Sequence, residues 1–138
     1  MPELQTIPME LSTDRRFTLF YAALCKTGLA ETLAAFGPFT VCAPTDEAFR
    51  RLSPEILEQL LEGTDGQLKR VLLYHILFGM LTCRDIKKLN FPKTKLGTTV
   101  EISEREGTVT INNAAILIPD IRCTNGVIHG IGTVIFPR

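Results

Sequence analysis

The 138-residue chain is long enough to enclose one hydrophobic core, and its composition (45% apolar, 22% charged) is ordinary for a globular protein. Its 15 basic and 15 acidic residues cancel, so it lacks the broad positive field that nucleic acid demands, and DNA or RNA is not an expected partner. The longest apolar run, residues 71–81, is well short of the roughly 20 residues of a transmembrane helix, so no membrane insertion is expected.

The first third of the chain predicts helices. Residues 1–16 form an irregular or short helical lead-in, which lacks the apolar stretch of a signal peptide. Ser12–Asp14 offer caps for a helix whose apolar residues recur at helical spacing as far as Cys25, and Gly28 is a natural left-handed end for it. Residues 29–36 predict a second, short helix.

Residues 39–49, FTVCAPTDEAF, predict a buried strand that turns directly into a capped helix. The apolar, partly β-branched run 39–43 is typical of a buried strand, and Pro44 ends it because proline has no backbone N–H for a ladder. Thr45 is a good N-cap, and Asp46 and Glu47 follow it where carboxylates favour the positive end of a helix. This stretch contains no obvious chemistry.

The middle of the chain predicts three further helices. The first begins at Ser53-Pro54 and ends at Gly63, and the second begins at Asp65-Gly66. Residues 76–78 are ambiguous between helix and strand. A last short helix is predicted over residues 82–89.

The last third predicts strands. Period-two alternation marks residues 98–104 and 108–112, which Glu106-Gly107 links as a hairpin turn. Residues 113–119 predict another strand. Asn125-Gly126 predicts a turn before residues 127–129, and residues 133–136 predict a final strand. The predicted helices come first and the antiparallel strands last, with one early strand at residues 39–43. This order predicts the α+β class.

Four scattered cysteines without C-x-x-C spacing favour free thiols in a reducing compartment, and one or two disulfides in a secreted protein are the alternative. Cys25 lies in a helical pattern and Cys42 in the apolar strand. Cys83 and Cys123 are predicted to be the more exposed thiols. Because Cys83 precedes Arg84 at a predicted helix start, its thiolate would be stabilised, which would suit a redox sensor.

Three ordered motifs resemble the signatures of the fasciclin-like (fasciclin I / beta-Ig-H3) domain family: residues 39–49, the pair Tyr74-His75, and the closing stretch 125–129. The resemblance covers residues 17–137 and implies a single domain over 1–138. The implied fold is a wedge-shaped β-sandwich with several helices packed on its edge and end. The structural signature comprises Thr40, Pro44, Thr45, Asp46, Phe49, Asn125, Gly126 and His129.

The resemblance also implies candidate partner-binding residues. In animal adhesion members of the family, the tyrosine-histidine pair is linked to receptor binding, which points to Tyr74 and His75. The apolar residues around them favour the alternative, a packed tyrosine ring and a core histidine that holds backbone groups. Pro119-Asp120-Ile121 partly resembles a second receptor-binding segment, although Asp120 could instead be a turn residue that bonds its own backbone.

No catalytic, cofactor-binding or metal-binding residues are predicted, because the two histidines lack ligand-spaced neighbours and no phosphate-binding or dinucleotide-binding motif occurs. We therefore expect a non-enzymatic protein-interaction module that is monomeric when isolated, cytoplasmic, and an accessory subunit of a larger, membrane-bound complex. In size and lack of a leader, the chain is similar to a branch of the family that serves the cyanobacterial CO2-uptake NAD(P)H dehydrogenase complex. The alternative is a secreted or surface adhesion domain, extracellular or periplasmic, whose leader is missing from this sequence.

Overall fold

The computed structural model describes residues 4–35, 37–62 and 66–137. Seven α-helices and one 3-10 turn lie in this part of the chain, and all except the last helix precede the second strand. Their bounds are α1 Ile7–Thr13, the 3-10 turn Arg15–Phe17, α2 Thr18–Thr27, α3 Leu29–Ala34, α4 Asp46–Arg50, α5 Pro54–Glu62, α6 Gln67–Tyr74 and α7 Cys83–Lys87.

Local sequence signals place several helix ends. Gly28 ends α2 with φ 81°, the left-handed conformation that glycine adopts at no steric cost. Thr45 caps α4 by accepting a hydrogen bond from the backbone N–H of Ala48. Thr82 and Asp85 form a reciprocal capping box at the start of α7. The predicted helix ends at Phe36 and Gly63 and the start at Asp65 lie outside the described residues.

Six strands form a continuous sheet in the order β2-β1-β6-β5-β4-β3. Their bounds are β1 Phe39–Pro44, β2 Ile76–Phe78, β3 Ile102–Arg105, β4 Thr108–Ile111, β5 Ala114–Cys123 and β6 Gly126–Ile131. The early strand β1 lies between two others, parallel to β6 and antiparallel to β2. The long strand β5 joins the two halves of the sheet, because it pairs with β4 at its start and with β6 over the rest. The predicted α+β class is confirmed.

The core consists of two apolar clusters, one on each face of the central strands. Val41 and Ala43 point into the first cluster with the early helices, whereas Cys42 between them points into the second with β3–β5 and α7. This alternation is the period-two geometry of a strand buried on both faces. It explains why residues 39–43 are almost continuously apolar.

Two strand predictions are wrong in extent or in kind. The predicted strand 98–104 is a strand only over Ile102–Arg105, because residues 98–101 make an isolated bridge and loop contacts instead. The predicted final strand 133–136 is not part of the sheet, since the last strand, β6, ends at Ile131. Residues 133–137 follow it as an irregular segment whose Val134 and Ile135 side chains are buried. None of the described helices has the length and apolar character to cross a membrane.

Candidate functional site

Asp46, the first acidic residue of the 39–49 motif, caps a distant helix. Its Oδ2 accepts a hydrogen bond from Thr18 Oγ1 at 2.5 Å, and its Oδ1 accepts one from the backbone N–H of Leu19 at 2.8 Å. These groups begin α2, which has no cap from the residue that precedes it. A nearly buried carboxylate therefore satisfies the positive end of a helix 28 residues earlier.

The other signature residues of the motif also pack in the core or cap helices. Thr40 Oγ1 donates to the Gly79 carbonyl at 2.6 Å and accepts from the backbone N–H of Leu81 at 2.8 Å, which ties β1 to the loop after β2. Phe49 is buried in the first core cluster, and Pro44 is the last residue of the buried strand β1. These side chains of the motif therefore hold the fold together.

His75 is a core histidine with both ring nitrogens engaged. Its Nε2 accepts a hydrogen bond from the backbone N–H of Ile135 at 3.1 Å, so its Nδ1 carries the proton and donates it to the Val71 carbonyl at 2.7 Å. Burial lowers the pKa of His75 to about 4. The neutral imidazole thus holds the C-terminal segment against α6.

Tyr74 is also buried, and its hydroxyl bridges two loops. The hydroxyl donates to the Thr99 carbonyl at 3.0 Å and accepts from Asn112 Nδ2 at 2.7 Å. Of the two interpretations of Tyr74-His75, the structure supports packing, because both residues are at most 2% exposed and a direct partner contact would require exposed side chains.

Acidification is expected to destabilise the fold through His75. Because the pKa of this group is about 4 when folded and 6.5 in the reference state, the unfolded chain binds a proton first as the pH falls below 6.5. The stabilisation is complete above pH 6.5 and is lost as the pH falls from there to 4, an effect of about 3 kcal/mol in the free energy of unfolding. Urea unfolding at a pH of about 7 and of about 5 should show about 2 kcal/mol of this loss, because the remainder is lost only as the pH approaches 4. The variant His75→Gln should show a smaller difference, and equal stability of the wild type at both pH values would contradict the assignment.

The second histidine, His129, is the centre of a polar cluster with Asp120. His129 Nδ1 accepts from the backbone N–H of Asp120 at 3.0 Å, and its Nε2 donates to the Leu81 carbonyl at 2.8 Å. Burial lowers the pKa of His129. Asp120 Oδ1 in turn accepts from the backbone N–H of Cys83 at 2.8 Å, so the cluster fastens the irregular part of β5 to the start of α7.

Asp120 and Ile121 lie at the surface of this cluster. The side chain of Asp120 is 44% exposed and its backbone has φ 60°, whereas Ile121 is half-buried against the first core cluster. The alternative role of Asp120, a turn residue bonding its own backbone, is corrected: its carboxylate bonds Cys83 instead. Its contact with a partner stays a prediction.

The predictions for the thiols are partly wrong. All four cysteines are free, but Cys25 is the exposed one and Cys123 is buried, because the last residue of β5 points into the core. Burial raises the pKa of Cys42 and of Cys123 to about 12. The pKa of Cys83 is also raised, first by burial and then by the negative charge of Asp120, so the expected stabilisation of its thiolate does not occur.

Alkylation is expected to distinguish these thiols. At a pH of about 8, iodoacetamide should label Cys25 first because it alone among the four is exposed. Cys83 should react more slowly, and Cys42 and Cys123 should react only after unfolding. Mass spectrometry of peptides over time measures the order, and Cys25→Ser should abolish the fast phase. Rapid labelling of Cys123 in the folded chain would contradict the structure.

Asn125 and Gly126, in the closing motif, hold the turn between β5 and β6 against the helices. Asn125 Oδ1 accepts from the backbone N–H of Ile7 at 3.1 Å, and its Nδ2 donates to the carbonyls of Leu33 and Ala35. Gly126 pairs with Phe39 in the parallel ladder. The sequence pattern indicated the turn but not these long-range bonds, since nothing in the local pattern points to the helices.

The described residues contain no group of three or more histidine, cysteine or acidic side chains that could hold a metal ion. The polar clusters at Asp46, His75 and His129 bond mainly to backbone groups, as structural networks do. These hydrogen bonds hold separate segments of the fold together. Any residues that bind a partner are therefore expected on the surface.

Comparisons with known proteins agree with the motifs. The family model described as "Fasciclin domain" matches residues 15–137. The chain is 37% identical over 135 residues, 98% of each chain, to "Uncharacterized protein sll1735" of Synechocystis. It is 38% identical over 136 residues, 99% of its own length, to the pig protein "Transforming growth factor-beta-induced protein ig-h3", of which it spans 20%.

A solved structure shares the fold. It is a FAS1 domain pair from the insect cell adhesion molecule fasciclin I, which matches with a TM-score of 0.85 over 96% of this chain. The sequence identity is 20%, and the match covers 51% of that chain, about one of its two domains. The fold implied by the resemblance is thus confirmed.

Proposed function

Because the chain belongs to the fasciclin domain family, we propose that it acts as a non-catalytic protein-interaction module. The family match over residues 15–137 carries this proposal. The burial of most signature residues supports it, because these residues hold the fold together and leave partner recognition to the surface. Members of this family mediate adhesion or protein association.

In its sharpest form, the proposal makes the chain a soluble, cytoplasmic accessory subunit of the cyanobacterial CO2-uptake NAD(P)H dehydrogenase complex. This form is supported by the similar Synechocystis protein, because the match covers 98% of both chains and that organism is a cyanobacterium. Its bound partners would be subunits of that membrane complex.

Affinity capture tests this form. The tagged chain is incubated with a detergent extract of cyanobacterial membranes, and captured proteins are identified by mass spectrometry against a tag-only control. We expect dehydrogenase subunits to be enriched. Their absence, with other proteins enriched, would end the dehydrogenase assignment while leaving the interaction module in place.

The second candidate is a secreted or surface adhesion domain. The observation that favours it is the likeness to the ig-h3 protein and to a FAS1 domain pair from a cell adhesion molecule. The genomic sequence upstream of the first codon and fractionation of the source cells separate the two candidates. A signal sequence together with protein in the periplasm or medium would favour the adhesion role and exclude the cytoplasmic one.

The third candidate, a redox sensor at Cys83 or Cys123, loses its physical basis. Cys123 is buried, and the pKa of each thiol is raised rather than lowered. A sensing cysteine needs an exposed, readily ionised thiol.

A further inference from the structure

Two depressions lie side by side along the C-terminal segment. The first, about 400 Å³, lies between α6 and the chain end and is lined by Gln67, Arg70, Val71, Phe136 and Pro137. The second, about 210 Å³, continues past Phe136 and is lined by residues 133–136 together with Asn112 and Asn113. Because Phe136 lines both, the two depressions lie side by side, and we name them together the C-terminal groove.

The wall of the C-terminal groove is a segment with an unused backbone edge. Val134 packs into the first core cluster and Ile135 into the second, the opposite directions that successive side chains take in a strand. Among the described residues, no backbone–backbone hydrogen bond involves residues 133–137. The N–H of Ile135 donates to His75, and the alternating burial of Val134 and Ile135 is that of an extended segment, in which the backbone groups of neighbouring residues face opposite sides.

The charge at one end of the C-terminal groove indicates its occupant. Arg70 is exposed there and forms no ion pair with any described residue. Phe136, 36% exposed, offers an apolar contact beside it. An extended peptide that carries a carboxylate would complement this surface. Its backbone would pair with the free backbone groups, its carboxylate with the Arg70 guanidinium, and an apolar side chain with the Phe136 ring.

We propose that the C-terminal groove binds an extended segment of a partner protein by strand addition along residues 133–137. An acidic side chain of that segment pairs with Arg70, and an apolar side chain packs on Phe136. This inference rests on the proposed interaction function and names the surface and the partner chemistry.

A phage-displayed library of random dodecapeptides, selected on the immobilised full-length chain, tests the proposal. We expect the selected peptides to combine an acidic residue with apolar ones. Arg70→Glu should weaken their binding about tenfold or more, because attraction becomes repulsion. The matched control is Lys69→Glu, which makes the same charge change on an exposed neighbouring residue of α6 that does not line the groove, and it should leave affinity unchanged.

Pairing between the peptide backbone and residues 133–137 is measured separately, by amide hydrogen exchange and by N-methylated peptides. On peptide binding, amide hydrogen exchange at Val134 and Phe136 should slow, and N-methylation of alternate peptide residues should abolish binding. Equal effects of Arg70→Glu and Lys69→Glu, unchanged exchange at these amides, or a groove filled by a second copy of the chain would each overturn the proposal. Failure to select any peptide would overturn it too. The capture of whole proteins from extracts judges the proposed function separately.

Discussion

Replacing Gly126 with alanine is expected to destabilise the fold severely. A Cβ on Gly126 would overlap with the backbone carbonyl oxygen of Phe39 and would lie 2.8 Å from Ile7 Cδ1. The carbonyl belongs to the central parallel ladder, so it cannot move aside as a flexible side chain would. The free energy of unfolding should fall by at least about 3 kcal/mol, a large share of the stability of a typical domain.

A matched glycine separates this clash from conformational strain. Gly107 has φ 85° in the β3–β4 turn, and a Cβ added there would meet nothing within 4 Å, so Gly107→Ala should cost only about 1 kcal/mol through strain. Urea unfolding followed by circular dichroism compares the two variants. A Gly126→Ala protein no less stable than Gly107→Ala would refute the close approach of Gly126 to Phe39.

Asn125→Ala is expected to have the second largest effect. The substitution removes three hydrogen bonds at once and leaves the N–H of Ile7 and the carbonyls of Leu33 and Ala35 without this partner. A net loss of about 1 kcal/mol for each bond predicts a fall of about 3 kcal/mol in the free energy of unfolding. Because the bonds join α1 and the end of α3 to the β5–β6 turn, amide exchange at Ile7 should also accelerate.

Two variants control for this result. Asn125→Asp keeps the acceptor for Ile7 but turns a carboxylate oxygen toward the carbonyl oxygens of Leu33 and Ala35, so repulsion should make it at least as destabilising as Asn125→Ala. Asn90→Ala changes an exposed asparagine and should alter stability by no more than about 0.5 kcal/mol. Unfolding free energies of Asn125→Ala and Asn90→Ala that coincide would show that Asn125 does not fasten the helices.

Local signals in the sequence were enough to predict much of the fold. The Thr45 cap, the Gly28 helix end and the Glu106-Gly107 turn depend on residues within a few positions, and each is observed, the last with φ 49° and 85°. The order of helices and strands, and hence the α+β class, followed from the same kind of signal.

Long-range partners could not be predicted in this way. Asp46 fits the rule for acids at a helix start, yet its carboxylate caps α2 rather than its own helix α4. The strand-like pattern of residues 133–136 reflects alternating burial between two core clusters without any ladder partner among the residues that the structure describes. Exposure of Cys25 and burial of Cys123 depend on which side of an element faces the core. Each of these outcomes is decided by tertiary packing.

The size of the native species tests the central claim, that the chain works by binding a protein partner through its surface. Gentle extracts of the source cells are separated by size-exclusion chromatography, with and without prior cross-linking, and the chain is followed by antibody. We predict that a substantial fraction elutes, and cross-links, in a species clearly larger than the free chain. Elution of all the protein at the size of the free chain, with no cross-linked partner, would contradict the claim.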